Sequence, residues 1–258
     1  MGVLLEKMNV ALATTSVFAD EYRRRARLKP AILEVLPVVL VLGVLVCRAL
    51  GGLDAATKFG GGIATLVSAL GLTALLEQLG RDRGKKKEPS LWARWGGAPT
   101  TQLLRHGSTS LCDPLTRRRY HQKLTKLLPE VRLPSAEEES ADPTAADRIY
   151  EACIRFLISR TRDRRNFPLV FEENVNYGFR RNLWGMRAAG LTVSLAGTFA
   201  AAVELMVTVG TAMSAAWLSV LLVNAAFVAW WVFRINPDWV LIAGRAYADR
   251  LTEAIDSL

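Results

Sequence analysis

Residues 171–187 read FEENVNYGFRRNLWGMR and run directly into AAGLTVSLAGTFAAAVELMVTVGT, residues 188–211. The first stretch is charged and aromatic; the second is apolar and long enough to cross a hydrocarbon core of about 30 Å. Phe171, Val175, Phe179 and Leu183 recur every four residues, the spacing of one helix face. The join therefore couples a water-facing module to a membrane span. Gly178, Gly185 and Gly190 punctuate it and are candidate bends or hinges, since glycine costs about 1 kcal/mol against alanine inside a helix. Close helix packing is the alternative use of the same glycines.

Working outward, Leu191–Thr211 reads as a third span and Met213–Phe233 as a fourth, with Ala31–Leu50 and Phe59–Leu79 as the first pair, joined by a polar turn over Gly51–Lys58. The expected fold is an all-α membrane protein in which two transmembrane hairpins, four spans, flank a basic and mainly helical cytoplasmic domain. Its segments are an amphipathic helix over 1–30, hairpins over 31–80 and 188–234, the basic domain over 81–187 and a C-terminal helix over 235–258. Arginines and lysines at 23–29, 81–87, 180–187, 234 and 245 put both hairpins' ends, and both termini, on the cytoplasmic side of a bacterial inner membrane.

Composition agrees with separate apolar and polar blocks: 51% of the 258 residues are hydrophobic and 22% charged, with a net charge of +9. The excess of basic residues falls in 81–187, where nucleic acid, a nucleotide or an anionic membrane surface would answer it. Cys47, Cys112 and Cys153 show no framework spacing and are expected as free thiols. The first residues form a poor signal peptide, because their apolar part is interrupted and basic residues follow it.

Within the basic domain, LWARWGGAPTT reads as a loop. Asp113-Pro114 and Asp142-Pro143 each offer an N-cap followed by a first-turn proline, opening helices to about Leu128 and Arg162. PEVRLPSAEEESADP between them reads as a solvated loop. Arginines beside aromatic and amide side chains suit single-stranded nucleic acid, pairing with phosphate while rings stack on bases. The candidate ligand residues are Arg105, His106, Arg117, Arg118, Arg119, Tyr120, His121, Arg162, Arg164, Arg165, Asn174, Tyr177, Arg180 and Arg181. Topology and lipid contact are the plain alternative for part of this charge.

Glu204 is a carboxylate within an apolar run, at a cost of at least about 2.5 kcal/mol if ionised in a membrane core. Ser194, Gly197, Ala201, Glu204, Thr208 and Thr211 fall at alternating spacings of three and four, one stripe of a helix. The stripe reads either as a pore lining that presents a carboxylate ring in an oligomer, or as a tight seam with Glu204 bonded to Asn224. Glu34, Glu77 and Arg48 lie near span ends and receive no transport role. LLRHGST, residues 103–109, is similar to the start of histidine phosphatases, but the long α/β domain that motif needs is missing. His106, Cys112, His121 and Cys153 fit no common zinc spacing. No enzymatic activity, metal or cofactor is expected.

The strings PTTQLLRH (99–106), RRRYHQKL (117–124) and TRDRRNFPLVFEENVNYGFRRNLWG (161–185), set between two hairpins, resemble the membrane effector of the Hailong antiphage-defence system. The resemblance implies a homo-oligomeric channel, expected as a tetramer, held shut by oligodeoxyadenylate from a partner nucleotidyltransferase and opened when that ligand is lost. Depolarisation and growth arrest would follow.

Overall fold

The computed structural model describes residues 21–49, 72–108 and 112–258. The N-terminal helix expected before residue 21, the polar turn and the first part of the second span lie outside the described residues. All regular structure among the described residues is helical: α1 (Lys29–Ala49), α2 (Leu72–Trp95), α3 (Pro99–Leu104), α4 (Pro114–Leu127), α5 (Ala136–Ala141), α6 (Pro143–Arg160), α7 (Pro168–Val207), α8 (Ser214–Ala229) and α9 (Pro237–Glu253). Short π-helical turns, Arg24–Leu28 and Trp230–Arg234, precede α1 and follow α8, and a 3-10 turn, Ala254–Ser257, ends the chain. Three helical stretches are long and apolar enough to cross a membrane: Glu21–Arg48, Pro168–Val207 and Ser214–Arg234.

The chain divides into two compact units. One comprises residues 88–177 and 240–258. Its helices start where sequence chemistry directs: the Asp113 carboxylate accepts from Thr116 N at 2.8 Å and the Asp142 carboxylate from Ala145 N at 2.9 Å, each ahead of a proline. Tyr120 and Leu124 from α4 and Leu128 at its C-cap meet Tyr150, Cys153 and Leu157 from α6 and Leu251 and Ile255 from the C-terminal residues. Full burial of each large apolar side chain contributes about 1.5–3 kcal/mol.

Two loop expectations are corrected. LWARW is helical, because α2 continues through Pro89 to Trp95 and stops only at Gly96 and Gly97, whose φ of 79° and 133° suit residues without a Cβ. Gln102 Nε2 fastens that turn through Trp95 O at 2.7 Å and Gly97 O at 2.8 Å. The acidic loop contains α5, opened by a capping box in which Ser135 and Glu138 satisfy each other's backbone amides.

The other unit holds residues 1–87 and 178–239. In it α1 and α7 run parallel in a fixed register. Asn182 Nδ2 donates to Ala26 O at 2.7 Å, and Arg48 pairs with Glu204; both ties join residues 156 apart in sequence. The ties stand 22 residues apart on each helix (26 to 48, 182 to 204), about 33 Å at 1.5 Å per residue. That is the thickness of a hydrocarbon core.

Helix α8 returns antiparallel, with Trp231 against Gly190 and Asn224 against Gly197. Helix α2 is also antiparallel to α7, since Gly80 meets Met186 and Gly84 meets Asn182. These registers bring Arg24, Arg27, Arg81, Arg83, Lys85, Lys86, Lys87, Arg180, Arg181, Arg187 and Arg234 to one end of the unit. The opposite end carries Arg48, Glu204 and an uncharged turn over 208–213, in which Gly210 has φ +81°.

Candidate functional site

The coupling stretch and the third span are one helix, α7, of 40 residues. Gly178, Gly185 and Gly190 do not interrupt it; each instead admits a close neighbour. A Cβ on Gly178 would stand 2.5 Å from the Tyr22 hydroxyl, and one on Gly190 would meet the Trp231 indole. Arg187 donates from Nε to Trp231 O and from Nη2 to Val232 O, both at 3.0 Å. Those carbonyls belong to the last turn of the returning helix, where they lack intrahelical donors and a cation is favoured.

The proposed pore stripe is turned inward. Ser194, Gly197, Ala201 and Thr208 are buried within the chain, Ala201 beside Val41, Trp217 and Val220. Thr211 is exposed in the turn after α7. Glu204 does not bond Asn224, whose Nδ2 donates to Val220 O at 2.9 Å and whose side chain lies against Gly197. Its partner is Arg48, with the two side chains 25% and 42% exposed. Glu204 thus sits one turn from the end of its helix, paired, rather than alone at mid-span. Glu34 and Glu77 are likewise paired, with Arg83 at 3.7 Å and Arg23 at 2.6 Å.

In the unit of residues 88–177 and 240–258, four of the candidate ligand residues converge and are already committed to structure. Arg105 forks onto Asp147 at 2.7 and 2.5 Å and donates to Gly96 O at 2.7 Å. Arg117, 4% exposed, donates to the carbonyls of His106, Ser108 and Cys112. Its guanidinium organises the loop before α4. His106 and His121 meet edge-on at 4.9 Å; His106 Nε2 faces Pro134 O at 3.1 Å and His121 Nε2 faces Leu104 O at 2.7 Å.

Glu139, which sequence reading passed over, is the hub of this network. It accepts from His106 N at 2.9 Å, Gly107 N at 3.1 Å and the Tyr150 hydroxyl at 2.7 Å. Burial pushes its carboxyl up, but these bonds and the His106 charge together hold it below the ordinary value. Burial pulls His121 below its ordinary value, with His106 and Arg117 adding to the shift. The sequence signal for Glu139 was the Ser135-x-x-Glu138 box, which sets α5 and with it the carboxylate one residue on.

The other candidates are dispersed. Tyr120 is a core residue; Arg119 pairs with Asp256 at 3.0 Å; Arg164 lies over Phe171 and 3.5 Å from Glu172. The Tyr177 hydroxyl donates to Glu88 at 2.7 Å and its ring stacks on Tyr247. Asn174 is half-buried on α7. Arg180 donates to Trp239 O at 2.9 Å, and Arg181 is buried in the α7 bundle. Arg118, Arg162 and Arg165 are exposed. A cleft of about 370 Å³ in the same unit as Arg117 is lined by Asp113, Glu173, Asp249 and Glu253 with Arg250 and Cys112, and its carboxylates disfavour an anion.

No family model, curated protein or solved structure matches the chain.

Proposed function

We propose that the chain is a homo-oligomeric membrane channel, shut in the conformation described, and controlled by a nucleotide or single-stranded oligodeoxynucleotide. The observation that carries this reading is α7: residues 168–177 and an apolar run long enough to span a membrane belong to one unbroken helix, along which a displacement would be passed. In the full arrangement residues 59–79 supply a fourth span. The basic ends of the helices face the cytoplasm of a bacterial cell, as the positive-inside rule directs, and both termini lie there.

Opening separates α7 from α1 and α8, uncovering the buried stripe and releasing Glu204 from Arg48. Carboxylates contributed by several subunits then favour cations. Ligand control requires affinities for the shut and open states that differ by a few kcal/mol. Exposed Arg118, Arg162 and Arg165 are the proposed cations for phosphate. The sequence resemblance supplies the ligand class, oligodeoxyadenylate, its nucleotidyltransferase source and the outcome in antiphage defence, growth arrest. Ion flux through vesicles carrying the full chain, measured with and without oligodeoxyadenylate, tests the proposal; flux that ignores the ligand removes the control half.

Burial of Ser194, Gly197, Ala201 and Thr208 within one chain favours a second reading, a membrane scaffold whose basic unit recruits a protein or anionic lipid. That reading expects no ion flux from any variant.

A further inference from the structure

Helices α7 and α8 cross in one antiparallel register. Trp231 meets Gly190, Asn224 meets Gly197, and Val220 shares a core cluster with Ala201. The same register sets Trp217 level with Glu204. The two facing rows differ in kind. Small residues of α7 receive Trp217, Asn224 and Trp231 from α8 and the turn that follows it, all three completely buried. Trp217 Nε1, Asn224 Oδ1 and Trp231 Nε1 have no hydrogen-bond partner among the described residues.

Asn224 is the polar side chain among them. Its Nδ2 donates to Val220 O one turn back, so only the carbonyl oxygen is uncommitted, and it is aimed at Gly197. A Cβ on Gly197 would stand 3.0 Å from Asn224 Cγ. Along α7 this level lies about 22 Å from Asn182 and about 10 Å from Glu204, inside the hydrocarbon depth. A buried acceptor left unpaired there costs stability that leucine, of nearly the same shape, would not. Polar groups at such depth face a partner or a water-filled cavity; in the shut seam this one lies against glycine.

We infer that Asn224 lines the conduction path opposite the α7 stripe, its carbonyl oxygen coordinating a monovalent cation when α7 and α8 part. An acceptor oxygen about 10 Å from the Glu204 carboxylate suits a cation. A lone carbonyl does not strip the tightly held waters of a small divalent ion. The lining rests on the channel reading and deepens it, since it adds a named residue of α8 to the path.

The test uses the full chain in vesicles, carrying Cys47→Ala, Cys112→Ala and Cys153→Ala. Asn224→Cys is treated with a charged, membrane-impermeant thiosulfonate, with Arg48 intact and with Arg48→Gln. Phe199→Cys, on the exposed face of α7, is the control. Asn224→Cys is expected to react about fivefold faster beside Arg48→Gln, following the open population, and Phe199→Cys to stay unreactive in both. Asn224→Leu is expected to cut the Arg48→Gln leak about fivefold, because an apolar constriction dewets, with the unfolding midpoint unchanged or raised. A residue that only holds the seam together would raise the leak instead, and that result overturns the lining. Vesicles that leak while the thiol at 224 never reacts overturn it too and leave the channel standing. Folded, inserted protein without a leak in any variant overturns both.

Discussion

Gly185 lies directly against Gly84: a Cβ on Gly185 would stand 2.5 Å from the Gly84 amide nitrogen, 2.7 Å from its Cα and 2.9 Å from the Arg83 carbonyl carbon. Backbone atoms cannot swing aside, so Gly185→Ala must separate α2 from α7. The expected loss is about 1–3 kcal/mol, the usual cost of overpacking. Gly43, with nothing within 4 Å of its Cβ position, is the control. Gly43→Ala is expected to be neutral or to gain up to about 1 kcal/mol from helix propensity. Thermal unfolding in detergent compares the two, and equal effects would deny the close crossing.

Arg48 and Glu204 tie the far end of the α1–α7 register. Both side chains keep solvent exposure, 42% and 25%, so a coupling of about 1 kcal/mol is expected rather than the larger figure of a buried pair. In a double-mutant cycle, Arg48→Gln with Glu204→Gln should cost little more than either change alone. Strict additivity of the two losses would show that the residues do not pair.

Arg117 differs from its neighbours. It is 4% exposed and serves three loop carbonyls, so Arg117→Ala should lose about 2–3 kcal/mol, seen as a lowered denaturation midpoint. Arg118→Ala, Arg162→Ala and Arg165→Ala should leave that midpoint within about 0.5 kcal/mol. Titration with oligodeoxyadenylate at low salt should find their affinity reduced. Unchanged binding in the triple variant would remove these exposed arginines from the ligand site.

Acid should loosen the unit that holds His121 and Glu139. Both groups have folded values below their ordinary ones of 6.5 and 4.5, so the unfolded chain takes up protons first. Stability from each is present above its ordinary value and declines as pH falls through the folded one. The loss begins below about pH 6.5 for His121 and below about pH 4.5 for Glu139. Asp249, raised by burial and then by Glu253, opposes the acid end. His121→Gln should abolish the first decline in unfolding midpoints measured from pH 7.5 to 5, and a decline that persists would assign it elsewhere.

The sequence made the local features readable and hid the long-range ones. Asp-Pro pairs set α4 and α6 because an N-cap and a first-turn proline act within four residues. Long apolar runs marked the three membrane-length helices described. The loop reading of LWARW failed because tryptophans beside glycine signal a turn only at the glycines themselves. Partners such as Arg48 for Glu204, Asp147 for Arg105 and Gly84 for Gly185 depend on which helices adjoin, which no local pattern encodes. The Arg105 and Arg117 guanidinium groups, read as ligand contacts, are therefore spent on carbonyls and a carboxylate.

Ion flux through vesicles containing the full chain tests the channel most directly, with wild type beside Arg48→Gln and Glu204→Gln. The shut-channel account predicts low flux for wild type and a leak raised about fivefold by either change, the equivalent of about 1 kcal/mol off the closed state. Flux at the level of empty vesicles for all three proteins, each inserted and folded, would contradict it.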